Sequence, residues 1–332
     1  MTRIPVLIDC DPGVDDAFAL ALAQSCPYFD IRAITAVYGN MPLKKTLYNA
    51  RALNEVLAIG AQVASGAKEP FFKKYDRGDD YVSPVHGSTG IASILLPEGR
   101  QPLDEEEACD VIYREAVRAG GELLLFAVGP LTNVAKALMR YPDLPGLISR
   151  FYIMGGGIEM GNQSPYAEAN IFKDPTAARI CFEKLPTYMV GLNATCDGAL
   201  SEGDLDELIA ACGDSPKAAL LKELFAYSRH NAFVKGQDSN IIHDAIAVAW
   251  AMDDAVCGGE KRHVWVRDDA GDGGGPRRDS PCQYLGGHDH RHRALQGTPA
   301  ADVPVLPGDG VVFPISKDLQ KKCCPTGQHF FR

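Results

Sequence analysis

The chain has 332 residues, of which 46% are hydrophobic and 23% are charged, and its formal net charge is −10. This composition is typical of a globular protein, and the acidic balance argues against a surface that neutralises nucleic-acid phosphates. The chain contains no run of about 18 apolar residues and no signal-peptide pattern, so we expect neither a membrane partner nor secretion.

Apolar runs and helical patterns alternate along the first 256 residues. Short apolar runs that stop at an acid or a glycine predict buried strands at Ile4–Asp9, Ile31–Val37, Gly121–Val128, Arg150–Met154 and Thr187–Gly191. Apolar residues at helical spacing predict helices at Asp16–Ser25, Pro42–Ile59, Thr132–Leu138, Thr176–Lys184, Leu205–Ala211, Lys217–Tyr227 and Asp244–Met252. This alternation predicts a single α/β domain, residues 1–256, with a mostly parallel central sheet flanked by helices.

Residues 257–332 differ in character. They hold 12 of the 33 glycines and five of the eight histidines, and only Val264–Val266 and Val311–Ile315 resemble strands. We interpret them as an atypical C-terminal segment that does not complete the fold, and one hypothesis is a reading-frame or splice change near residue 267. The ten cysteines of the whole chain form no Cys-x-x-Cys pair, which favours reduced thiols and a cytoplasmic protein.

Four carboxylates lie within eight residues at the end of the first predicted strand. They are Asp9, Asp11, Asp15 and Asp16, and the turn Pro12-Gly13 folds them toward one another. Carboxylates this close repel one another unless a cation binds, and oxygen ligands without nearby Cys or His favour Ca²⁺ or Mg²⁺. The alternative is a solvated acidic turn in which Asp16 caps the next helix.

His243 and Asp244 precede the apolar helical stretch IAVAW. Considered with the acidic cluster, Asp244 suggests a metal ligand and His243 a general acid. Taken separately, Asp244 is also compatible with a plain helix cap and His243 with a surface histidine.

A glycine run follows the strand that ends at Met154. Glycines at a strand end allow a ligand to approach the backbone closely, and Asn162, Glu168 and Asn170 further along supply hydrogen bonds suited to sugar hydroxyls. The alternative is a flexible turn followed by loop-favouring asparagines.

Together these motifs resemble the nucleoside hydrolases, the inosine-uridine type nucleoside N-ribohydrolases. The resemblance covers about residues 4–256 and is carried, in chain order, by Asp9-x-Asp11-Pro-Gly-x-Asp15-Asp16, Val37-Tyr-Gly-Asn40, Gly129-Pro-Leu-Thr-Asn133, Met154-Gly-Gly-Gly157, Glu168-x-Asn170 and His243-Asp244. It implies an α/β fold and hydrolysis of ribonucleosides, purine or pyrimidine, to ribose and free base.

The resemblance also implies a Ca²⁺ site. Its ligands would be Asp11, Asp16, Asp244 and the backbone carbonyl of Val128. Asp11 would in addition act as the general base that activates water, and His243 would help to protonate the departing base. Such a reaction passes through an oxocarbenium-like state, which needs an activated water on one side and a stabilised leaving group on the other.

The other matched residues would contact the nucleoside. Asp15 and Asn40 would hold ribose hydroxyls, Asn162, Glu168 and Asn170 the 5′-hydroxyl side, Met154 the underside of the sugar, and His86 would lie near the nucleobase. The wall of the base pocket would come from residues 227–240, with Tyr227, His230, Phe233 and Gln237 as candidates. The resemblance further implies a homodimer or homotetramer.

The sequence departs from the family at several points. Ala169 stands where an aromatic residue is common, and the two tryptophans, Trp250 and Trp265, do not match the tryptophans of purine-specific members. His243 before Asp244 matches the nonspecific or pyrimidine-leaning branch. Two other functions stay open: a nucleoside-binding paralogue impaired by its abnormal tail, and a Mg²⁺-dependent phosphatase that uses Asp9-x-Asp11.

Overall fold

The central feature of the computed structural model, which describes residues 3–72, 77–158, 160–234, 240–266 and 283–286, is a parallel six-stranded sheet. Its strands are β1 (Ile4–Cys10), β2 (Phe29–Ala36), β3 (Gln62–Ser65), β4 (Leu123–Ala127), β5 (Ile148–Met154) and β6 (Thr187–Val190). The strand order is β3-β2-β1-β4-β5-β6, so β1 and β4 lie in the middle. β4 is apolar throughout, and β1 is apolar except for Asp9, because helices cover both of their faces.

Ten helices and two small antiparallel pairs complete the described part of the chain. The helices are α1 (Val14–Ser25), α2 (Leu43–Val56), α3 (Ala108–Ala119), α4 (Thr132–Arg140), α5 (Ala169–Lys173), α6 (Pro175–Lys184), α7 (Leu192–Asp197), α8 (Glu202–Cys212), α9 (Pro216–Val234) and α10 (His243–Met252). The pairs are β7 (Ala199–Leu200) with β8 (Asn240–Ile241), and β9 (His263–Val266) with β10 (Gln283–Gly286). No helix in these ranges is long and apolar enough to cross a membrane.

Two apolar cores lie on opposite faces of the sheet. One joins the sheet to α1, α2, α9 and α10, and the other joins it to α3, α4 and α6. Alternate residues of β1 enter the two cores: Val6 and Ile8 belong to the first, and Leu7 belongs to the second. This three-layer arrangement confirms the predicted fold class.

All five strands predicted within residues 1–256 are present, whereas β3, α3, α5, α7 and the short strands β7, β8 and β10 were not predicted from the sequence. β3 is a four-residue edge strand whose first residue is exposed, and α5 has only five residues, so neither carries a long periodic pattern. The predicted strand Val264–Val266 lies within β9, where Val266 is buried in the second core. The predicted strand Val311–Ile315 lies outside the described residues.

The sheet topology places several motifs at one edge. Parallel strands end on the same side, and Asp9 of β1 is in register with Thr35 of β2 and Ala127 of β4. The segments that follow β1, β2, β4 and β5 therefore meet at the carboxyl edge of the sheet, where α/β proteins bind ligands.

Candidate active site

The turn between β1 and α1 is tied together by the Asp16 carboxylate. Its Oδ1 accepts a hydrogen bond from the Asp11 backbone N–H at 3.2 Å, and its Oδ2 accepts from the Gly13 N–H at 2.8 Å. Asp16 thus caps α1, as one interpretation of the sequence predicts. The same contacts hold it beside Asp11, so capping and membership of the acidic cluster occur together.

Asn40, which follows β2, connects the two carboxylates. Its backbone N–H donates to Asp11 Oδ2 at 2.6 Å, while its side-chain Nδ2 donates to the Asp11 carbonyl and to Asp16 Oδ2, both at 3.2 Å. Three donations from one residue fix Asp11 and Asp16 relative to each other.

Asp11, Asp16 and Asp244 are all buried, although Asp244 is more than 220 positions away in the chain. Burial raises the pKa of Asp16 to about 6 and raises the pKa of Asp11 and Asp244 well above the ordinary value. The negative charge of Asp16 raises the pKa of Asp11 and of Asp244 further, and the charge of Asp15 raises the pKa of Asp16, while the interaction of Asp16 with the Asp244 side chain lowers it. The structure therefore brings Asp11, Asp16 and Asp244 close together.

The oxygen donors of Asp11, Asp16 and Asp244 are chemically suited to a hard cation. Asp11 Oδ1 is buried and has no hydrogen-bond partner, which is costly unless another group satisfies it. A Cβ at Gly39 would overlap Asp11 Oδ2, and one at Gly129 would lie 2.7 Å from Oδ1, so these glycines let the backbone close around the carboxylate. Among the described residues no group of three or more His, Cys, Asp or Glu side chains is arranged so that it could hold a metal ion as it stands. The fit therefore rests on the oxygen donors and the partnerless Oδ1.

The segment after β5 forms the opposite wall. Glu168 caps α5 and accepts hydrogen bonds from the backbone N–H groups of Gly156, Asn170 and Ile171 at 2.9–3.2 Å. The Asn170 Nδ2 donates to the carbonyls of Val128 and Met154 at 3.0 and 3.1 Å. Asn170 thereby joins the ends of β4 and β5.

Two of the predicted residues in this wall differ in exposure. The Met154 side chain is buried at the end of β5. Asn162 is exposed, and its backbone N–H donates to the Ala167 carbonyl at 3.2 Å. Of the residues predicted to hold the sugar, Asn162 is therefore the one that the structure leaves at the surface.

His243 lies at the start of α10 and is held at two points. Its backbone N–H donates to Asp15 Oδ2 at 3.2 Å, and its ring Nδ1 is 2.7 Å from the Thr195 hydroxyl oxygen. Burial lowers the pKa of His243, and the negative charge of Glu168 partly offsets this effect.

His86 lies beside the start of α1. Its Nδ1 accepts a hydrogen bond from the Val14 N–H at 3.2 Å, which leaves the other ring nitrogen as the protonated one. Tyr227 of α9 packs against neighbouring Gly87, and Asn231 donates to the Val85 carbonyl at 3.1 Å. α9 is thus packed against the His86 loop.

Among the other base-pocket candidates, Gln237 lies outside the described residues, while Phe233 is 73% exposed.

Asp9 faces away from the group formed by Asp11, Asp16 and Asp244. Its Oδ1 accepts hydrogen bonds from Thr35 at 2.6 Å and from Asn133 at 2.8 Å, and burial raises its pKa to about 7. Its Oδ2 is buried without a hydrogen-bond partner, but the contacts of Oδ1 with Thr35 and Asn133 mean that Asp9 and Asp11 are held by different groups. The geometry thus argues against the phosphatase alternative, in which Asp9 and Asp11 would share the chemistry.

Sequence analysis missed two contacts of the site. The Lys173 ammonium is 3.6 Å from Asp11 Oδ2, and Thr195 contacts His243 as described above. Lys173 follows Asn170 by three residues, a spacing that places side chains on one face of a helix, but the five-residue helix itself is too short to be recognised in the sequence. Thr195 carries no sequence signal either, because its partner, His243, comes from a distant element.

Comparisons with known proteins agree with the sequence resemblance. A family model described as inosine-uridine preferring nucleoside hydrolase matches residues 6–297, so the match extends into the C-terminal segment. A pyrimidine-specific ribonucleoside hydrolase RihA from Enterobacter is 37% identical over 256 residues, which are 75% of this chain and 79% of the relative. An inosine-uridine preferring nucleoside hydrolase from Leishmania major is 36% identical over 256 residues, covering 76% and 79%.

Solved structures give the same result. A plant nucleoside hydrolase has a TM-score of 0.73 at 29% identity, covering 81% of this chain and 84% of that one. A purine-preferring ribonucleoside hydrolase from Gardnerella vaginalis has a TM-score of 0.74 at 27% identity, covering 81% and 85%. The chain therefore belongs to the inosine-uridine preferring nucleoside hydrolases, a metal-dependent family that acts on small-molecule nucleosides.

Proposed function

We propose that the protein cleaves the N-glycosidic bond of ribonucleosides to ribose and free base, with Asp11 as general base and His243 as the acid at the leaving base. The observation that carries this proposal is the buried Oδ1 of Asp11, which has no hydrogen-bond partner, while Oδ2 accepts from the Asn40 N–H and the Asp11 backbone N–H donates to Asp16. A carboxylate with one free oxygen in a buried, tightly fixed site is suited to take a proton from water.

We further propose Ca²⁺ as the metal, held by Asp11, Asp16, Asp244 and the Val128 carbonyl. The donors are all oxygen atoms, which hard cations prefer. When bound, Ca²⁺ would orient the ribose hydroxyls and lower the pKa of the attacking water. The Val128 carbonyl already accepts one hydrogen bond, from Asn170, and a carbonyl oxygen has a second lone pair for another contact.

The neighbouring residues bind the nucleoside in this proposal. Asp15 and Asn40 hold ribose hydroxyls, Met154 packs under the sugar, Asn162, Glu168 and Asn170 hold the 5′-hydroxyl side, and His86 borders the base. Glu168 supports this role, since three backbone N–H groups fix its carboxylate and a carboxylate has about four acceptor positions.

His243 is supported as the acid by the way its ring is held. The Thr195 hydroxyl is hydrogen-bonded to Nδ1, so Nε2 is the ring nitrogen available to a leaving base. A positioned acid or base contributes roughly 10²–10⁴-fold to a rate.

We also propose that residues 1–256 form the hydrolase domain and that residues 257–332 are an atypical segment. The protein would act in the cytoplasm as a homodimer or homotetramer. The cytoplasmic assignment is supported by Cys10, Cys26, Cys109 and Cys181, which are free and buried among the described residues.

The test is release of reducing sugar from inosine, uridine, cytidine and adenosine, with and without a chelator. We expect ribose from at least one of them, loss of activity with the chelator, and recovery on addition of Ca²⁺. p-Nitrophenyl phosphate serves as the control substrate, and we expect no turnover of it. Nucleoside binding without ribose release would identify a non-catalytic paralogue instead.

A further inference from the structure

Lys173 places a positive charge against the proposed base. It is the last residue of α5, and its side chain is only 13% exposed. Its Nζ is 3.6 Å from Asp11 Oδ2 and 3.5 Å from Asn170 Oδ1. The ammonium group therefore lies between the acidic cluster and the wall formed after β5.

The two oxygens of Asp11 have different surroundings. Oδ2 accepts from the Asn40 N–H and faces Lys173, whereas Oδ1 is buried without a partner. An ammonium group this close favours the charged form of Asp11, and its field also acts on any cation that Oδ1 would bind. Lys173 thus keeps Asp11 available as a ligand while it opposes the charge of the ion.

We propose that Lys173 weakens the affinity of the site for cations and matches its charge to a divalent ion. This inference rests on the proposed cation site. Asp11, Asp16 and Asp244 together carry three negative charges when ionised, and Lys173 reduces this to two. Without Lys173 the net negative charge of the site is larger, and this attracts a trivalent ion even more than a divalent one.

The test measures cation binding to the full-length protein after removal of metal. Lys173→Met keeps most of the length of the side chain and removes its charge, and Lys173→Gln is a second neutral variant in case the first does not fold. We expect the Kd for Ca²⁺, measured by calorimetry, to fall by about tenfold in either variant, since a like charge within a few ångströms is removed.

Comparing ions of different charge distinguishes an electrostatic effect of Lys173 from a structural one. Because the opposing energy scales with ion charge, the Kd for Tb³⁺, measured by luminescence, should fall by about 30-fold. Lys173→Arg, which keeps the charge, and Lys184→Met, which removes a charge from the exposed end of α6, should both bind Ca²⁺ like the wild type.

Three outcomes would contradict the proposal. An unchanged or higher Kd in both neutral variants would remove the role of Lys173 while leaving the cation site in place. A fall in Kd by the same factor for Ca²⁺ and for Tb³⁺ would show a structural effect of the substitution rather than an electrostatic one. Absence of Ca²⁺ binding in the wild type would remove the cation site itself, and the role of Lys173 with it.

Discussion

The hydroxyl oxygen of Thr195 lies 2.7 Å from the ring Nδ1 of His243. Thr195 is fully buried in α7, and its hydroxyl is also 3.4 Å from the Leu192 carbonyl. Because the backbone of His243 is held separately by Asp15, the ring and the main chain of this histidine are anchored by two different helices. Thr195 therefore acts as a positioning residue that sets the orientation of the imidazole.

Replacement of Thr195 by Val should slow nucleoside hydrolysis without affecting substrates that need no acid. Valine keeps the shape but removes the hydroxyl, so the ring loses its orientation. We expect kcat on inosine or uridine to fall by roughly 10- to 100-fold, which is less than the roughly 10²–10⁴-fold for one acid or base because the imidazole itself is kept. Hydrolysis of p-nitrophenyl riboside, whose leaving group departs as a stable anion, should change by less than about threefold.

Thr195→Ser is the matched control, since it restores the hydroxyl and should recover most of the nucleoside activity. Equal losses on both substrates in Thr195→Val would indicate general damage to the site and would contradict a role through His243.

Asp11→Asn should abolish nucleoside hydrolysis and leave the fold intact. The amide oxygen of asparagine can still accept the hydrogen bond from Asn40, but the side chain can no longer take a proton from water or contribute a charge to the cluster. We expect ribose release to fall by at least about 10³-fold, while the thermal unfolding midpoint stays equal or rises because a buried, repelling carboxylate is removed.

Asp79→Asn is a suitable comparison for this variant, because Asp79 pairs with Lys44 on the exposed surface and should leave activity unchanged. Near wild-type turnover by Asp11→Asn would exclude Asp11 as the base.

Gly39→Ala should damage the site through sterics alone. A Cβ at this position would overlap the Asp11 carboxylate, so Asp11 or the loop after β2 must shift. Such overpacking costs roughly 1–3 kcal/mol of stability, and the displaced carboxylate should lower kcat/KM by at least about 10²-fold. Gly146→Ala, where a Cβ meets nothing within 4 Å, is the control for the loss of a glycine. An active Gly39→Ala enzyme would show that the close fit around Asp11 is not required.

The acidic cluster could be predicted from the sequence because its members lie at strand ends. The apolar pattern of β1 fixes where Asp11 and Asp16 lie, and parallel strands bring Asn40 and Val128 to the same edge. Asp244 was assigned to the cluster by resemblance, since no local pattern links it to residues more than 220 positions earlier.

The contacts of Lys173 and Thr195 could not be predicted in the same way. α5 has five residues, which is too short to show a helical period, and besides its Glu168 cap it has one buried apolar side chain, Ile171, in the second core. Thr195 belongs to a six-residue helix whose partner, His243, begins another helix. Contacts of this kind depend on how separate elements pack, which spacing along the chain does not encode.

The ion pair between Asp104 and Arg114 gives a prediction for the pH dependence of stability. Arg114 donates from two nitrogens to the two oxygens of Asp104, at 2.6 and 3.2 Å, and the Asp104 N–H donates to the Val63 carbonyl of β3. The Asp104 side chain is 7% exposed. This pair fastens the segment before α3 to both α3 and β3.

Hydrogen bonding by Arg114 lowers the pKa of Asp104 below its ordinary value of 3.8. A carboxyl whose folded-state pKa is depressed stabilises the protein above its unfolded-state pKa, and this contribution is lost as pH falls through the folded-state value. Asp104→Asn should therefore lower the free energy of unfolding by about 1 kcal/mol near neutral pH. The difference from the wild type should shrink as pH falls below about 4, because Asp104 is protonated first in the unfolded chain and then, at lower pH, in the folded protein.

Urea unfolding of both proteins, at about pH 7 and at several values between about 5 and 3, measures this difference. Asp79→Asn is again the control, since both partners of its pair are exposed and its effect should be small at every pH. A difference for Asp104→Asn that stays constant or widens toward acid pH would show that Asp104 acts through packing or neutral hydrogen bonds rather than through its charge.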